Sequence, residues 1–280
     1  MKTQKWIPYG FVIAFAATGS LFASQEKNDA WKDTISTMPP GDFPMLEPCT
    51  LQFNVSWNGV VKAGQADIKF KVAEDGDHRG ALETSGEAKS TGVARALWPY
   101  KAKIRSVVDS KTLKPIFIQQ AEMDRQEQNH YETKFIGDFI FNKHVMTPNE
   151  GERERKEKVY ETGPRMHDLV SAILYIRSFP LDEDGKTYRM VTFPFNSRYL
   201  VELTQEGREQ FKYRGEKVDS IKFDVVIKKI MKNDDLKSYE DKVKKAHVWV
   251  SDDDLRLPLE LRAEIFVGSV RATLAEHQWH

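Results

Sequence analysis

Cysteine is almost absent from this chain, whose 280 residues contain only Cys49. A single thiol cannot form an internal disulfide, so the fold must be stabilised by packing and hydrogen bonding. No activating base lies close to Cys49 in the sequence, although a partner from a distant segment stays open. We interpret Cys49 as a small, buried apolar residue, with an intermolecular disulfide as the alternative.

The sequence also lacks the motifs of the common enzyme and metal-site classes. It contains no Gly-x-Ser-x-Gly elbow, no phosphate-binding loop and no dinucleotide fingerprint. His-x-x-x-His and Cys-x-x-Cys pairs are missing, and the run Asp252–Asp254 favours a solvated turn over a calcium loop. We therefore predict no metal, no cofactor and no catalytic residue. Carboxylates that pair only in space stay open, so a hydrolase of envelope polymers is the least favoured function.

Neither sign of charge dominates the composition, which has 42 basic and 42 acidic residues. Loss of residues 1–23 would remove two lysines and leave 40 basic residues against 42 acidic ones. A chain this close to neutral has no overall field to hold nucleic acid or an anionic membrane, so we predict no nucleic-acid partner. The hydrophobic fraction of 40% and the aromatic fraction of 11% are typical of a globular protein.

The N-terminus has the three parts of a secretory signal peptide. Lys2 and Lys5 are followed by the charge-free stretch Trp6–Phe22 and then by the small residue Ala23. We predict a signal peptide over residues 1–23, cleavage after Ala23, and export to the periplasm or out of the cell. The alternative is an uncleaved anchor, because the stretch is long enough to cross a bilayer, although a proline and two glycines interrupt it.

The residues that follow indicate an unanchored mature protein. Leu21–Ser24 resembles a lipoprotein cleavage box in which Ser24 replaces the cysteine that would carry the lipid. We therefore expect a mature chain that is neither lipid-anchored nor membrane-spanning. Residues 24–50 are rich in proline and predict an extended segment, with room for a short helix at Ala30–Ser36.

From Leu51 onward the hydrophobic period is two, which is typical of half-buried strands. The first candidate strand ends at Asn58-Gly59, a strong turn signal, and most later connections are also short, which favours antiparallel neighbours. The mixed charges of Glu150–Lys158 favour solvated strand ends or hairpin tips. Fourteen candidate strands result: 51–57, 66–72, 81–89, 101–109, 116–123, 131–136, 139–145, 188–195, 198–203, 209–214, 221–230, 245–251, 259–266 and 271–278.

One segment has a helical period instead. Met166–Phe179 carries Leu169, Ile173 and Ile176 at helical spacing and is stopped by Pro180. A sheet of about fourteen strands usually curls or closes. We therefore predict a mainly β fold over residues 51–280, consisting of a single domain. Its large, strongly curved antiparallel sheet would be half-barrel or barrel-like, with this one main helix packed on it.

Four short blocks, taken in order, resemble the DUF3108 family of exported bacterial proteins. The blocks are Phe53–Gly59 with Ala63-Gly64, Ser106–Asp109, Asp168–Ala172 and Val248–Asp253. The resemblance implies an envelope protein of unassigned activity, and it carries over no catalytic residue. The predicted arrangement is also similar, at the level of the fold alone, to periplasmic lipoprotein carriers of the LolA/LolB type.

Function is predicted here as non-enzymatic binding of an apolar or amphipathic ligand, such as a lipid, on the concave face of the sheet. The alternatives are that the aromatic residues fill a closed core, and that the protein is a structural module that binds an envelope protein or a glycan. Arg177 is either a surface arginine or an internal charge that contacts a partner or a ligand anion. The candidate ligand-binding residues are Trp57, Trp98, Tyr175, Arg177 and Trp249.

Overall fold

A single hydrogen-bonded sheet dominates the computed structural model, which describes residues 29–161, 166–240, 243–265 and 268–280. The predicted signal peptide lies outside the described residues. The sheet contains sixteen strands: β1 (Cys49–Trp57), β2 (Val61–Val72), β3 (Leu82–Ser90), β4 (Lys101–Val108), β5 (Pro115–Met123), β6 (Glu127–Ile136), β7 (Phe139–Pro148), β8 (Glu154–Glu161), β9 (Met166–His167), β10 (Thr187–Thr192), β11 (Arg198–Tyr213), β12 (Glu216–Ile230), β13 (Leu236–Ser238), β14 (Lys245–Ser251), β15 (Pro258–Ile265) and β16 (Gly268–Trp279).

The described helices are few and short. There are two α-helices, α1 (Gly92–Leu97) and α2 (Leu169–Arg177), and two 3₁₀ turns, Asp29–Thr34 and Gly76–His78. Among the described residues, no helix has the length and apolar character needed to span a bilayer.

Strands β1 to β8 lie on one side of the sheet and strands β9 to β16 on the other. The two sides are joined in the middle of the sheet, where β1 pairs with β16. The order is β8-β7-β6-β5-β4-β3-β2-β1-β16-β15-β14-β12-β11-β10-β9, and β13 pairs with β12 at the side. All described pairs are antiparallel except the short β9–β10 pair, and the end strands β8 and β9 are not joined to each other. The prediction of a large, curved antiparallel sheet with one main helix is confirmed.

Alternation explains why the sequence forms these strands. On β1, Cys49, Leu51, Phe53 and Val55 are buried, whereas the intervening polar residues face outward. The strand ends in a tight turn whose two central residues have positive φ angles, which glycine and asparagine tolerate. Irregular register in several pairs, including β1–β16, adds the local twist that lets so long a sheet curl.

Three short or charged strands were missed by the alternation rule. β9 and β13 contain only two and three residues, too few to show a period. β8 is a solvated strand with charged residues on both faces. The charged run that was interpreted as a strand end or a hairpin tip therefore forms much of a strand. Conversely, the separate candidates 198–203 and 209–214 are one strand, β11, because a bulge between Gln205 and Gly207 interrupts the period.

Helix α2 packs on the inner face of the sheet and connects its two halves. Tyr175 and Ile176 contact a cluster from β10 and β12, and Leu174 contacts Val108 on the other side. The helix is shorter than the predicted Met166–Phe179, because Met166–His167 pairs with β10 and Asp168 caps the first turn. Ile173, which the periodicity assigned to the apolar face, is exposed.

The proline-rich segment lies across the end of α2, and we call residues 36–48 the strap. Tyr175 Oη donates a hydrogen bond to the Met38 carbonyl at 2.8 Å, and the Gly41 amide donates to Ser178 Oγ at 2.9 Å. A side chain at Gly41 would collide with the Ser178 carbonyl, because its Cβ would lie 2.3 Å from that oxygen. The gap between the strap, α2 and β2–β3 is only about 10 Å³, which is at the limit for one water molecule.

Cys49 lies beneath this region with no exposed surface, which agrees with its interpretation as a buried apolar residue. Burial raises the pKa of the thiol to about 11, partly offset by the Arg177 charge. The thiol therefore stays protonated at neutral pH, and we expect a disulfide reagent to label Cys49 only as fast as the protein unfolds. Labelling rates measured across a urea series should track the unfolding curve. Rapid labelling of the native protein would contradict this expectation.

Candidate functional site

The two predicted site residues on α2 contact protein groups. Arg177 Nη2 donates a hydrogen bond to the Leu255 carbonyl at 2.8 Å, and Nη1 donates to the carbonyl of Pro44 in the strap. Burial, together with the neighbouring Arg256 charge, lowers the pKa of Arg177 to about 10, so the side chain still carries its charge at neutral pH. Tyr175 is buried beside it under the strap.

The three predicted tryptophans lie on different elements of the fold. Trp57 is half-buried at the end of β1, and Trp98 is exposed directly after α1. Trp249 is buried on β14, where its indole donates to Glu209 and the Arg262 guanidinium lies 4.6 Å from its ring. The structure therefore does not gather the five residues into one site, and their role in ligand binding stays a prediction.

A serine, a histidine and an aspartate do come together at the start of α2. His167 Nδ1 lies 3.3 Å from Ser171 Oγ, next to the Asp168 carboxylate. That carboxylate accepts from the Ser171 amide at 2.6 Å, while Ser171 Oγ accepts from the Asp168 amide at 2.9 Å, which is a reciprocal capping box. All three residues are buried, so this grouping begins the helix and offers no face to a substrate.

One other group of residues has the donor types of a metal site. Ligand atoms of Glu206, Asp224 and His247 lie within 4.8 Å of one another on β11, β12 and β14. The ammonium group of Lys222 lies 2.6 Å from Glu206 and already supplies a positive charge there. The group arises from register between three strands, which is why no sequence motif indicated it. The absence of a metal stays a prediction.

An open trough of about 920 Å³ lies on the face of the sheet opposite α2. Alternation separates the two faces: on β4, Ser106 points inward and donates to Asp168, whereas its neighbour Arg105 points away and lines the trough. The trough crosses β1 to β8. At about 4.8 Å between strands, these eight strands give it a length of roughly 34 Å.

Two cross-strand rows form the floor of the trough. Paired residues on neighbouring antiparallel strands point to the same face, so each row is a continuous surface. The row nearer the β1–β2 turn contains Asp67, Glu87, Lys103, Ala121, His130, Val145 and Arg155. The next row contains Lys69, Ser85, Arg105, Gln119, Glu132 and Lys143.

Basic side chains outnumber acidic ones along the trough. Its lining has three acidic residues, Asp67, Glu87 and Glu132, and six basic residues, Lys69, Lys103, Arg105, Lys143, Arg153 and Arg155. Arg105 is paired with Glu83 at 3.1 Å, and its hydrogen bonds lower the pKa of that carboxyl. Lys69, Lys143 and Arg153 make no ion pair within 4.0 Å among the described residues, although Lys143 lies opposite Glu157 on β8 and attracts its carboxylate.

An apolar ledge borders the trough on the side away from the β1–β2 turn. The next row contains Phe117, Lys134, Phe141 and Val159, so one lysine separates Phe117 from Phe141 and Val159. Phe141 and Val159 are exposed, and Phe139 extends the same surface. The trough with its ledge is therefore amphipathic, with unpaired positive charge beside exposed aromatic and aliphatic groups.

Residues 52–275 match the sequence model of the family DUF3108, which is described as a protein of unknown function. The chain belongs to the DUF3108 family. Among solved structures, a β-barrel-like protein of domain DUF1849 from Brucella abortus is similar, with a TM-score of 0.52 and 8% identity over 85% of this chain and 99% of that one. At this identity the likeness shows the fold alone.

Two further structures resemble this DUF3108 chain more weakly. One, from Parabacteroides distasonis, is described provisionally as a lipoprotein, with a TM-score of 0.31, 8% identity and coverage of 86% of this chain and 100% of that one. The other, from Bacteroides fragilis, is described provisionally as an exported protein with a YmcC-like fold, with a TM-score of 0.30, 8% identity and coverage of 85% and 99%. No curated protein matches the chain.

Three of the four blocks that carry the DUF3108 resemblance lie around α2 and its cap. Ser106 from the second block donates to the Asp168 carboxylate from the third at 2.6 Å. Asp253 from the fourth block accepts from the amides of Leu255 and Arg256, which fixes the turn that carries Arg256 toward α2. These described contacts are architectural, and the trough is lined largely by residues outside the four blocks.

Proposed function

We propose that this DUF3108 protein is a non-enzymatic, exported binding protein that holds an elongated, anionic amphipathic molecule of the cell envelope in the trough. The observation that carries the proposal is the trough itself, about 920 Å³ in volume, in which Lys69, Lys143 and Arg153 have no ion-pair partner within 4.0 Å in the described part of the chain. Its volume falls within the range of ligand sites, about 300–1,000 Å³.

The distribution of side chains suggests how such a ligand would lie. Its phosphate or carboxylate would contact one of the lining cations, Lys143 or Arg153. Its apolar part would then cover Phe141 and Val159, removing exposed hydrophobic surface from water. A row of charged side chains beside these exposed apolar groups thus fits an amphipathic ligand better than a purely apolar one.

The proposal moves the ligand from the face that the sequence favoured. Within the described residues, the inner face is filled by α2 and covered by the strap, whereas the outer face is open over eight strands. Two of the residues predicted to contact the ligand, Tyr175 and Trp249, are buried in the core.

A structural or interaction module is the alternative function, and the edge strand β8 is the place to look for it. Its exposed backbone edge is a template for pairing with another chain. The strand, however, carries a run of alternating charges, ERKEK, that opposes such pairing. The geometry therefore supports the trough more strongly than the edge.

Charge reversal in the trough should abolish most ligand binding. We expect Lys143→Glu with Arg153→Glu to weaken binding of dodecyl phosphate by roughly tenfold or more, because two attractions become repulsions. Lys217→Glu, at an exposed position on β12 outside the trough lining, is the matched control and should change little. Fluorescence competition and calorimetry on the mature protein would measure both.

Native mass spectrometry of the mature protein, purified from its own envelope without detergent, gives the independent test. A mass excess that is lost on denaturation and in the double variant supports the proposal, and its value identifies the ligand class. If inorganic phosphate competes as well as dodecyl phosphate, the amphipathic part of the proposal is wrong. Equal binding by the double variant and the wild type would rule out the trough.

A further inference from the structure

Exposed apolar residues cluster at the end of the sheet where β3 connects to β4. Within the connection, Val93 is 71% exposed, Leu97 is 63% exposed and Trp98 is 40% exposed. Val93 and Leu97 are four residues apart on α1, so they lie on the same face of that helix. No residue of α1 is buried, which is unusual for a helix with this composition.

Neighbouring elements enlarge this surface. The connection runs beside β2, since the Thr91 amide donates to the Ala63 carbonyl at 3.0 Å, and the β1–β2 turn nearby exposes Val60 at 86%. On the other side, Arg125 from the β5–β6 turn donates to the Ala96 carbonyl. We call the exposed apolar group the α1 patch, and it consists of Val60, Val61, Val93, Leu97 and Trp98.

The charges around the α1 patch have a single sign along the chain. Residues 88–105 contain five basic residues and no acidic one, although the whole chain is neutral. Lys101, Lys103 and Arg105 pair with glutamates of β3, whereas Lys89 and Arg95 make no ion pair within 4.0 Å among the described residues. Apolar side chains therefore project from a locally basic surface.

We infer that the α1 patch docks on a lipid bilayer surface that contains anionic lipid. Exposed aliphatic residues beside a tryptophan match the interfacial zone of a membrane, where the indole ring is favoured and aliphatic groups enter the acyl boundary. The basic residues at the rim match anionic headgroups, each adding attraction near the surface. This inference goes beyond the trough and does not depend on a ligand being bound there.

A second copy of the chain fits the patch less well than a bilayer does. An isologous dimer would place the basic segment of one copy against the same segment of its partner, which is repulsive. An anionic surface instead offers complementary charge across the whole patch.

Vesicle sedimentation of the mature protein, isolated from its own envelope, tests the inference. We expect binding to vesicles of phosphatidylethanolamine with phosphatidylglycerol, and much weaker binding to vesicles of phosphatidylcholine alone. The variant Val93→Ser, Leu97→Ser, Trp98→Ser should bind the anionic vesicles about tenfold or more weakly. Arg95→Gln alone should weaken binding about fivefold, and added salt should reduce wild-type binding.

The matched control removes apolar groups of similar exposure at the opposite end of the sheet. Val72→Ser with Ile136→Ser should leave vesicle binding unchanged, since these residues lie at the ends of β2 and β6 that are remote from α1. Equal loss in both variants would overturn the inference, because it would indicate non-specific hydrophobic adsorption. Equal binding to the two vesicle types, binding to neither, or association of the protein with itself through the patch would overturn it as well.

Discussion

Replacing Asp168 with alanine should lower the free energy of unfolding by about 3 kcal/mol. The Asp168 carboxylate has no exposed surface and accepts from the Ser171 amide at 2.6 Å and from Ser106 Oγ at 2.6 Å. Its removal would eliminate the cap of α2, worth about 1 kcal/mol, and leave a buried hydroxyl without its acceptor, at about 2 kcal/mol. Urea unfolding followed by tryptophan fluorescence would measure the change.

Asp168→Asn separates the role of the shape from the role of the charge. Its amide can still accept from Ser171 and donate to Ser106, so we expect a loss of only about 1 kcal/mol. If Asp168→Ala and Asp168→Asn lost the same stability, the capping account would be wrong.

The stability difference between the wild type and Asp168→Asn should depend on pH, because Asp168 is buried. Burial raises the pKa of Asp168 despite its hydrogen bonds, so the folded protein binds this proton more tightly than the unfolded chain does. The contribution of this bound proton to the free energy of unfolding is complete below the unfolded pKa of about 3.9, and it is lost as the pH rises through the folded pKa. As the pH falls from about 7 to about 4, the free energy of unfolding of the wild type should therefore rise relative to that of Asp168→Asn. A pH-independent difference would contradict the burial argument.

Arg256→Ala should destabilise the protein by about 3 kcal/mol and release the strap. The Arg256 guanidinium is buried at the end of α2, where it donates to the Arg177 carbonyl at 2.8 Å and to the carbonyls of Phe179 and Pro180. It also lies 3.2 Å from the ring centre of Phe43 in the strap. Removing it leaves helix-end carbonyls without donors and removes the support of the strap.

Two measurements distinguish this account from general surface effects. Limited proteolysis should cleave within residues 36–48 much faster in Arg256→Ala than in wild type, whereas the exposed substitution Arg79→Ala should behave as wild type. Arg256→Lys should recover little stability, since one ammonium group cannot reproduce a planar fork of donors that also stacks on Phe43. Full recovery by lysine would show that charge alone is responsible.

The fold could be predicted from the sequence because most strands have one buried and one solvated face. Val55 and its alternate neighbours on β1 show this period directly. β8 could not be found in this way, because both of its faces are solvated and no burial period exists. The bulge at Gly207 likewise made one long strand look like two.

The trough could not be predicted, because its rows depend on register between strands. Period two indicates that Lys69 and Lys143 point away from the core, but only the turn geometry places them in one row across six strands. The α1 patch, in contrast, left a readable signal. The basic segment 88–105 is visible in the sequence, and the near-zero net charge of the whole chain hid it.

The pairing of β1 with β16 has a consequence for how the chain acquires its structure. Cys49 lies opposite Trp279, so the ladder at the centre of the sheet joins segments more than two hundred residues apart. Contacts of such long sequence separation form slowly, and this one cannot form until the last strand has been synthesised. The sheet can therefore be completed only after β16 has been made, however early the local hairpins β2–β8 form.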